Sequence, residues 1–425
     1  MLCIPKPPFL TNMNTHQEQD EIPQPGTAAA RHSFTWHGTG QSLLNAKLDA
    51  IAAARVSVGM EVFTFSDSEI GGRFRDALAA AARRGVRVRL IVDAVGSFNL
   101  RSDYFTDLMR AGGEMRWFNK LRFASFAFRD HRKLVVIDDA LAFVGGCNIA
   151  REYFGDGITA GWRDSGVSVC GPVVPLLGAE FGNQWERSHA RRWTFSPGGA
   201  RRAAVATRDA EVEALFIKPG FGSSPLREAL RHDLATANEV AITTAYFLPT
   251  RRIRRQLAQA VARGARVRLL LAGKSDVRMM QLASRSLYRR LLREGIEIWE
   301  YQPQVLHAKL IVIDDVVYVG SSNLDPRSLR INFEIMLRIK DAAVVAFARD
   351  QFEVDLARHA TPITGDAIKT GRSWWQILCQ RLAYWLFARL DPELAALKLH
   401  RWHGRKERLV RRIKRRRRPA RPITS

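Results

Sequence analysis

The sequence predicts an α/β protein built as two tandem α/β/α sandwich halves packed together around a shared active site. Three observations lead there. Helical segments alternate with short apolar runs along most of the chain, as expected of a sheet covered by helices on both faces. The order of those elements is replayed once. A short pattern, His-x-Lys-x4-Asp, also occurs twice in matching surroundings: FRDHRKLVVIDDALAFVGGCN contains His131, Lys133 and Asp138, and VLHAKLIVIDDVVYVGSSN contains His307, Lys309 and Asp314.

Residues 1–34 read as a flexible leader, with Gln, Glu, Pro, Gly and Ala dominating 11–30. The opening MLCIPKPPFL has no basic region followed by an apolar one, so no signal peptide is expected. No apolar run reaches the roughly 17–25 residues of a membrane-spanning helix. The first half is assigned to 35–195. QSLLNAKLDAIAAAR has helical spacing and VSVGMEVFTF reads as a strand. FRDALAAAARRG is a helix ending at Gly85, and VRVRLIVDAVGS is a buried strand. A short helix at 104–111 follows, then strands at MRWF, LVVIDD and AFVGG. The second half, 205–358, replays the order. LREALRHDLATA is helical, EVAITTAYF a strand, RRIRRQLAQAVARG a helix stopped at Gly264, and ARVRLLLAG a strand. LYRRLLREG is a helix stopped at Gly295, with strands IEIWEY, LIVIDD and VYVG after it. Glycine between helix and strand is a C-cap, and its recurrence at the same place in both halves supports the repeat. The boundary is expected near 190–215, where Arg191, Arg192 and SPGGARR would be exposed.

At 425 residues and 46% hydrophobic content, the chain can bury more than one core, which excludes disorder throughout. Its formal charge of +24 is uneven: residues 401–425 hold twelve Arg or Lys and one Glu. Such a balance predicts an anionic partner, either nucleic acid or an anionic membrane face. Cys3, Cys147, Cys170 and Cys379 form no CxxC and have no ligand-like spacing, so neither structural zinc nor a disulfide framework is expected.

The spacing of the doubled pattern has a chemical reading. Residues two apart on a strand share a face, so each His stands beside its Lys. Buried together, they call for an anion. Two such pairs meeting make four donors around one spot, suited to a phosphate. Asp138 and Asp314 are placed to brace the site or its backbone. Asn148 in GGCN and Asn323 in GSSN follow small residues that admit close backbone approach, and their amides can donate to a phosphoryl oxygen. Ser322 offers a further hydroxyl. A reactive histidine also needs an orienting carboxylate. Asp164 in GWRD and Glu334 in RINFE follow their half's Asn turn, and matched placement assigns Asp164 to His131 and Glu334 to His307. Arg327 in NLDPRS either contacts the substrate phosphate or pairs with Asp325. The first half has IAREYFGD there, so the halves are not interchangeable in detail.

The two motifs with their GGxN and GSxN tails resemble the phospholipase D superfamily. More closely, the chain resembles bacterial cardiolipin synthases of the short type, without paired N-terminal transmembrane helices. Supporting residues are Glu61 in VGMEVFTF, GWRDSGVSVCGP, Tyr246-Phe247-Leu248-Pro249 and GSSNLDPRSLRINFE, and the resemblance covers roughly residues 35–355. It implies that one histidine attacks a phosphodiester to form a phosphohistidine, while the other protonates the leaving alcohol and then activates the incoming one. His131 is assigned as nucleophile and His307 as acid/base, and the near symmetry of the halves leaves the reverse assignment open. Lys133, Lys309, Asn148 and Asn323 stabilise the phosphoryl oxygens. No cofactor or metal is called for, because the lysines take that electrostatic role.

Beyond the resemblance, residues 371–392 contain WWQILCQRLAYWLFARL, with Trp374, Ile377, Leu378, Leu382, Trp385 and Leu386 at helical steps. This reads as an amphipathic interfacial helix followed by the basic tail 401–425. Together these favour an anionic phospholipid membrane over nucleic acid, and peripheral placement on the cytoplasmic face of the inner membrane. Three function classes stay open. A phosphatidyltransferase would use phosphatidylglycerol as acceptor, with phosphatidylethanolamine as a further candidate substrate. A hydrolase of lipid or nucleic acid would let water take the intermediate. A non-catalytic binding protein is disfavoured by two intact motifs.

Overall fold

The computed structural model describes residues 31–120, 128–189, 204–206, 211–220, 224–365 and 374–390. Within them, two sheets follow one plan. The first contains β1 (Ser33–His37), β2 (Ser57–Val62), β3 (Arg87–Asp93), β4 (Glu114–Phe118), β5 (Leu134–Ile137), β6 (Leu141–Gly145) and β7 (Gly166–Cys170), in the order β1-β7-β6-β5-β2-β3-β4. The second contains β8 (Ala204–Ala206), β9 (Val212–Ile217), β10 (Glu239–Thr244), β11 (Arg266–Ala272), β12 (Glu297–Tyr301), β13 (Lys309–Ile313), β14 (Val316–Gly320), β15 (Glu334–Ile339) and β16 (Ala360–Pro362). Its order is β16-β12-β11-β10-β13-β14-β15-β9-β8. Without the edge strands β8 and β16, it matches the first sheet element for element. The duplication read from the sequence is therefore a duplication of fold.

The local causes are duplicated too. The helix Glu69–Arg83 joins β2 to the parallel β3 and starts at Ser68, whose side chain accepts from the Gly71 N–H. Its counterpart Arg251–Ala262 joins β10 to β11 and starts at Thr250, accepting from the Ile253 N–H. Each cap satisfies a donor that the first helical turn leaves open. Gly85 and Gly264 follow these helices at φ of 89° and 98°, a conformation that ends a helix and that glycine adopts without strain.

The strands read as unbroken apolar runs because both faces of each sheet are buried. On β5, Val135 and Ile137 face the first half's own helices, whereas Leu134 and Val136 enter a core shared with the second half. On β13, Ile311 and Ile313 face outward, and Leu310 and Val312 enter the same shared core. The helices Val174–His189 and Ala342–His359 add Leu177, Phe181, Trp185, Val344 and Phe352 to it. Trp36 of β1 ties the halves further, its indole N–H donating to Gln351 Oε1 at 2.9 Å.

Some expected boundaries move. β1 begins at Ser33, inside the segment assigned to the leader, where Ser33 pairs with Cys170. Strands β1, β7, β9 and β15 and the two shared-core helices add to the elements picked out by periodicity. Residues 1–30 of the leader, the Arg191–Arg192 junction and the basic tail 401–425 lie outside the described residues. The tail helix spans Trp374–Trp385 and packs along the helix Arg278–Arg285. It buries Gln380 and Ala383 and leaves Leu378, Leu382 and Trp385 exposed. One face is thus packed on the second half, while the other carries an open apolar ridge. No described helix is long and apolar enough to cross a membrane.

Candidate active site

Each His-x-Lys segment lies where a strand is entered. Lys309 opens β13, while His131 and Lys133 come just before β5, which opens at Leu134. The Asp of each pattern lies five residues beyond its Lys, roughly 16 Å away at the far end of the strand. Asp138 and Asp314 occupy hairpin turns at φ of 53° and 45°, a left-handed conformation that Asp tolerates. The Asp138 carboxylate accepts from the backbone N–H groups of Arg55, Val56 and Ser57 at 2.9, 2.7 and 2.7 Å. Asp314 accepts from Asn238 and Glu239 at 3.1 and 2.8 Å. Both brace the heads of β2 and β10. Of the two roles read from the sequence, bracing the site or bracing its backbone, these contacts are those of the second, so the pair stands outside the catalytic group and holds the frame.

At the other end of these strands, the two halves exchange short stretches of backbone pairing. Asp130 bridges to Phe333 and Arg163 to Leu306. The His131 N–H donates to the Phe333 carbonyl at 2.9 Å, and the His307 N–H donates to the Arg163 carbonyl at 2.8 Å. Phe333 precedes Glu334, and Arg163 precedes Asp164. Each histidine is therefore laid beside the acid of the opposite half. His131 Nδ1 is 3.0 Å from Glu334 Oε2, and His307 Nδ1 is 2.7 Å from Asp164 Oδ2. The expected partners were reversed. The four residues meet, but Asp164 holds His307 and Glu334 holds His131, because the pairing is set by the exchange between halves and not by spacing within one.

Both acids are sealed from solvent. Asp164 also accepts from the Ser165 N–H at 2.8 Å. A Cβ on Gly146 would stand 2.2 Å from Asp164 Oδ1, so glycine is required there for the close approach. In the second half the same place is held by Ser321, whose hydroxyl donates to Glu334 Oε2 at 2.5 Å. Burial pushes both carboxyls up, but the hydrogen bonds and charges of their histidines outweigh it and hold them below the usual range. Burial lowers His131 despite Glu334. Burial and the Lys309 cation bring His307 down to about 4. Both rings are thus neutral at pH 7. With Nδ1–H given to the acid, each leaves Nε2 as a free base.

Lys133 Nζ donates to the His131 carbonyl at 2.7 Å, and Lys309 Nζ donates to the His307 carbonyl. Lys309 Nζ also lies 2.8 Å from His307 Nδ1. Since Nδ1 gives its proton to Asp164, that approach is cation beside ring and not a second acceptor. Burial, with Lys309 adding repulsion, lowers Lys133 to about 7 against the pull of Glu334, and burial also lowers Lys309. Lys133 feels the Lys309 charge from the other half, a repulsion that a bound anion would relieve.

Asn148 Oδ1 accepts from the Thr64 N–H at 3.0 Å, and its amide donates to the Tyr153 hydroxyl at 2.8 Å. Asn323 Oδ1 accepts from Thr244 Oγ1 at 3.4 Å. The Ser322 hydroxyl is spent on the Asn323 carbonyl at 3.2 Å, so it positions the turn. Asp325 caps the short helix Pro326–Arg330 by accepting from the Arg327 and Ser328 N–H groups at 2.8 and 3.2 Å. The Arg327 charge is felt at Arg129, two residues before His131.

Sequence reasoning missed the aromatic walls. The Tyr153 hydroxyl lies 3.3 Å from His307 Nε2, with its ring edge-on at 5.0 Å and Trp162 at 5.6 Å. Phe63 meets His131 edge-on at 4.9 Å. The side chain of His131 is 14% exposed and that of His307 5%, so His131 is the more open. Tyr153 falls five residues after Asn148 in IAREY, the stretch where the halves already differ. Arg132, between His131 and Lys133, turns away to Glu180 at 3.0 Å, whereas the second half has Ala308 there.

Comparison with known proteins agrees with this geometry. A family model described as cardiolipin synthase, PLD-like domain matches residues 48–159 and 230–356, one stretch in each half. Cardiolipin synthase B of Salmonella typhimurium is 32% identical over 375 residues, covering 86% of this chain and 90% of that protein. Cardiolipin synthase A of Pseudomonas fluorescens is 34% identical over 339 residues, covering 75% and 67%. Among solved structures, phosphatidylserine synthase of Haemophilus influenzae shares the fold, with a TM-score of 0.66 and 14% identity over 85% of this chain and 94% of that one. With the matched domain in each half and a relative aligned over most of both chains, the protein belongs to the cardiolipin synthase family of the phospholipase D superfamily.

Proposed function

We propose that this protein is a cardiolipin synthase-like phosphatidyltransferase that moves a phosphatidyl group between phospholipids through a phosphohistidine. The observation that carries the reading is the pair of crossed His–carboxylate contacts, at 3.0 and 2.7 Å, with a buried lysine beside each histidine. Displacement at a phosphodiester requires one unprotonated Nε2 to attack and a second imidazole that can carry and release a proton, both beside an anion-favouring centre.

His131 is the nucleophile, being the more open of the two. Its Nε2 attacks phosphorus, a P–N bond forms, and the P–O bond to the leaving alcohol breaks as His307 Nε2–H protonates that oxygen. In the second step His307 takes the proton of the incoming hydroxyl, which attacks phosphorus and breaks the P–N bond. His307 must carry a proton for the first step. The phosphodiester's own negative charge, arriving beside a ring otherwise lowered to about 4, raises its affinity for one. Lys133, Lys309, Asn148 and Asn323 stabilise the phosphoryl oxygens as charge builds. The acceptor is the glycerol end of phosphatidylglycerol, and a small alcohol is released. The protein works peripherally, on an anionic membrane at the cytoplasmic face of the inner membrane, and the open ridge of the helix Trp374–Trp385 suits that placement.

The test is to give purified protein phosphatidylglycerol, with and without phosphatidylethanolamine, and to follow products by lipid mass spectrometry. Cardiolipin that disappears in His131→Ala is the expected result. Phosphatidic acid alone would make the protein a hydrolase, and DNA cleavage without lipid turnover would overturn the lipid reading.

A further inference from the structure

Two loops of equivalent position, one from each half, carry exposed apolar side chains at the rim of the active site. The first follows β3. It begins at Asp93, whose carboxylate accepts from the Asp130 N–H at 2.9 Å, directly before His131. Its Ser97 accepts from the Phe65 N–H at 2.8 Å and donates to the Phe63 carbonyl at 3.1 Å. Gly96 is pressed so closely on the Phe63 carbonyl that a Cβ would stand 2.1 Å from it. Phe63 is the ring packed on His131. The root of this loop is therefore fastened to the nucleophile's wall, yet the next residue, Phe98, is 73% exposed, the most exposed large apolar side chain among the described residues.

The second loop follows β11, the counterpart of β3. Asp276 accepts from the Tyr246 hydroxyl at 2.7 Å, and its charge is felt at His307 and Lys309. Immediately beyond it, Val277 and Met279 are 37% and 40% exposed. The helix that starts there, Arg278–Arg285, is the one along which the tail helix packs with its open Leu378, Leu382 and Trp385.

We infer that Phe98 on one side of the site, and Val277 with Met279 on the other, insert into an anionic lipid surface and set the site mouth against it. This rests on the lipid reading proposed above and adds where the protein touches the membrane. Charge complementarity selects lipid over a protein partner. Lys274 and Arg278 are exposed beside Val277 and Met279, Arg381 is exposed next to Leu382 on the tail helix, and the chain carries +24. Isolated apolar points on polar-rooted loops, with cations beside the second of them, match the interfacial zone of a bilayer, where apolar groups enter and cations stay at headgroup depth. A second copy of the chain would have to bring cation against cation.

Vesicle partition reads this without catalysis. Phe98→Ser, the pair Val277→Ser with Met279→Ser, and all three together would be sedimented with vesicles of phosphatidylglycerol and phosphatidylcholine. Each tip should cost about tenfold in partition, and the triple variant more. Because the side chains are exposed, the unfolding midpoint should stay unchanged, and so should turnover of a short-chain phosphodiester dissolved as monomer. Wild-type partition in the triple variant would overturn the inference. So would a change in oligomeric state by light scattering, which would make the tips a self-interface. Wild-type protein that turns over no lipid but loses vesicle binding on these substitutions would refute the proposed reaction and leave the docking face standing.

Discussion

The crossed pairs predict a pattern of energetic coupling that pairing within each half forbids. Glu334 is sealed from solvent and accepts from His131 Nδ1 at 3.0 Å and from Ser321 at 2.5 Å. Both rings are neutral at pH 7, so each contact is a hydrogen bond to a charged acceptor and not a full ion pair. Such a bond contributes about 1.5–3 kcal/mol. The pair His307–Asp164 is shorter at 2.7 Å and more enclosed, and belongs at the upper end of that range. Double-mutant cycles on His131→Ala with Glu334→Gln, and on His307→Ala with Asp164→Asn, should therefore each give a coupling of about 2 kcal/mol. The mixed cycles, His131→Ala with Asp164→Asn and His307→Ala with Glu334→Gln, share no direct contact and should stay below about 1 kcal/mol. Urea unfolding at pH 7, followed by tryptophan fluorescence, measures all four. The slopes must agree between variants for the comparison to hold. Mixed couplings larger than the crossed ones would refute the exchange of acids between halves.

Asp138→Ala should lower stability by about 2 kcal/mol, because three backbone donors lose their acceptor, while kcat of the folded fraction stays within about threefold; denaturation curves and single-substrate kinetics separate the two. Gly146→Ala forces a Cβ against the Asp164 carboxylate and should cost about a hundredfold in turnover, because His307 loses its alignment. Tyr153→Phe removes the hydroxyl shared by His307 Nε2 and Asn148; kcat should fall about tenfold with KM little changed, and an unchanged kcat would reduce the tyrosine to packing. Lys133, at about 7 in the folded protein and 10.5 as an ordinary lysine, binds fewer protons folded than unfolded between those values. Stability without ligand should therefore rise with pH across that window, while inorganic phosphate, which favours the charged lysine, should raise the melting temperature more at pH 6 than at pH 8.

What was legible in the sequence is what strand periodicity and repetition encode. The double sheet, the Gly-capped turns at Gly85 and Gly264, and the closeness of His131 to Lys133 and of His307 to Lys309 all follow from patterns local to one half. Asp138 and Asp314 show what such a pattern records. Their regular spacing from the histidine reflects the length of the strand that separates turn from site, so the constant distance in sequence marks the bracing of the backbone and not a contact at the reacting centre. The reversed roles of Asp164 and Glu334 have a different origin. Each lies one residue beyond a backbone bridge to the other half, and no spacing within a half records which histidine that bridge reaches. Tyr153 was hidden because only one half carries it, and repetition was the signal being read.

The exchange also makes each half depend on the other. Glu334 takes Ser321 and Asn332 from its own half but His131 from the other, and Asp164 likewise takes His307 across the halves. Assembly of the halves completes both acids at once, so stability and the reacting centre arise from the same contacts. Symmetry ends at that frame. Gly146 yields space where Ser321 donates a proton, Arg132 stands where the other half has Ala308, and Tyr153 with Trp162 closes over His307 while His131 meets Phe63 and stays more open. Two imidazoles held alike by their acids are thus given unlike access, and the proposed reaction uses that difference to divide attack on phosphorus from proton transfer to the alcohol.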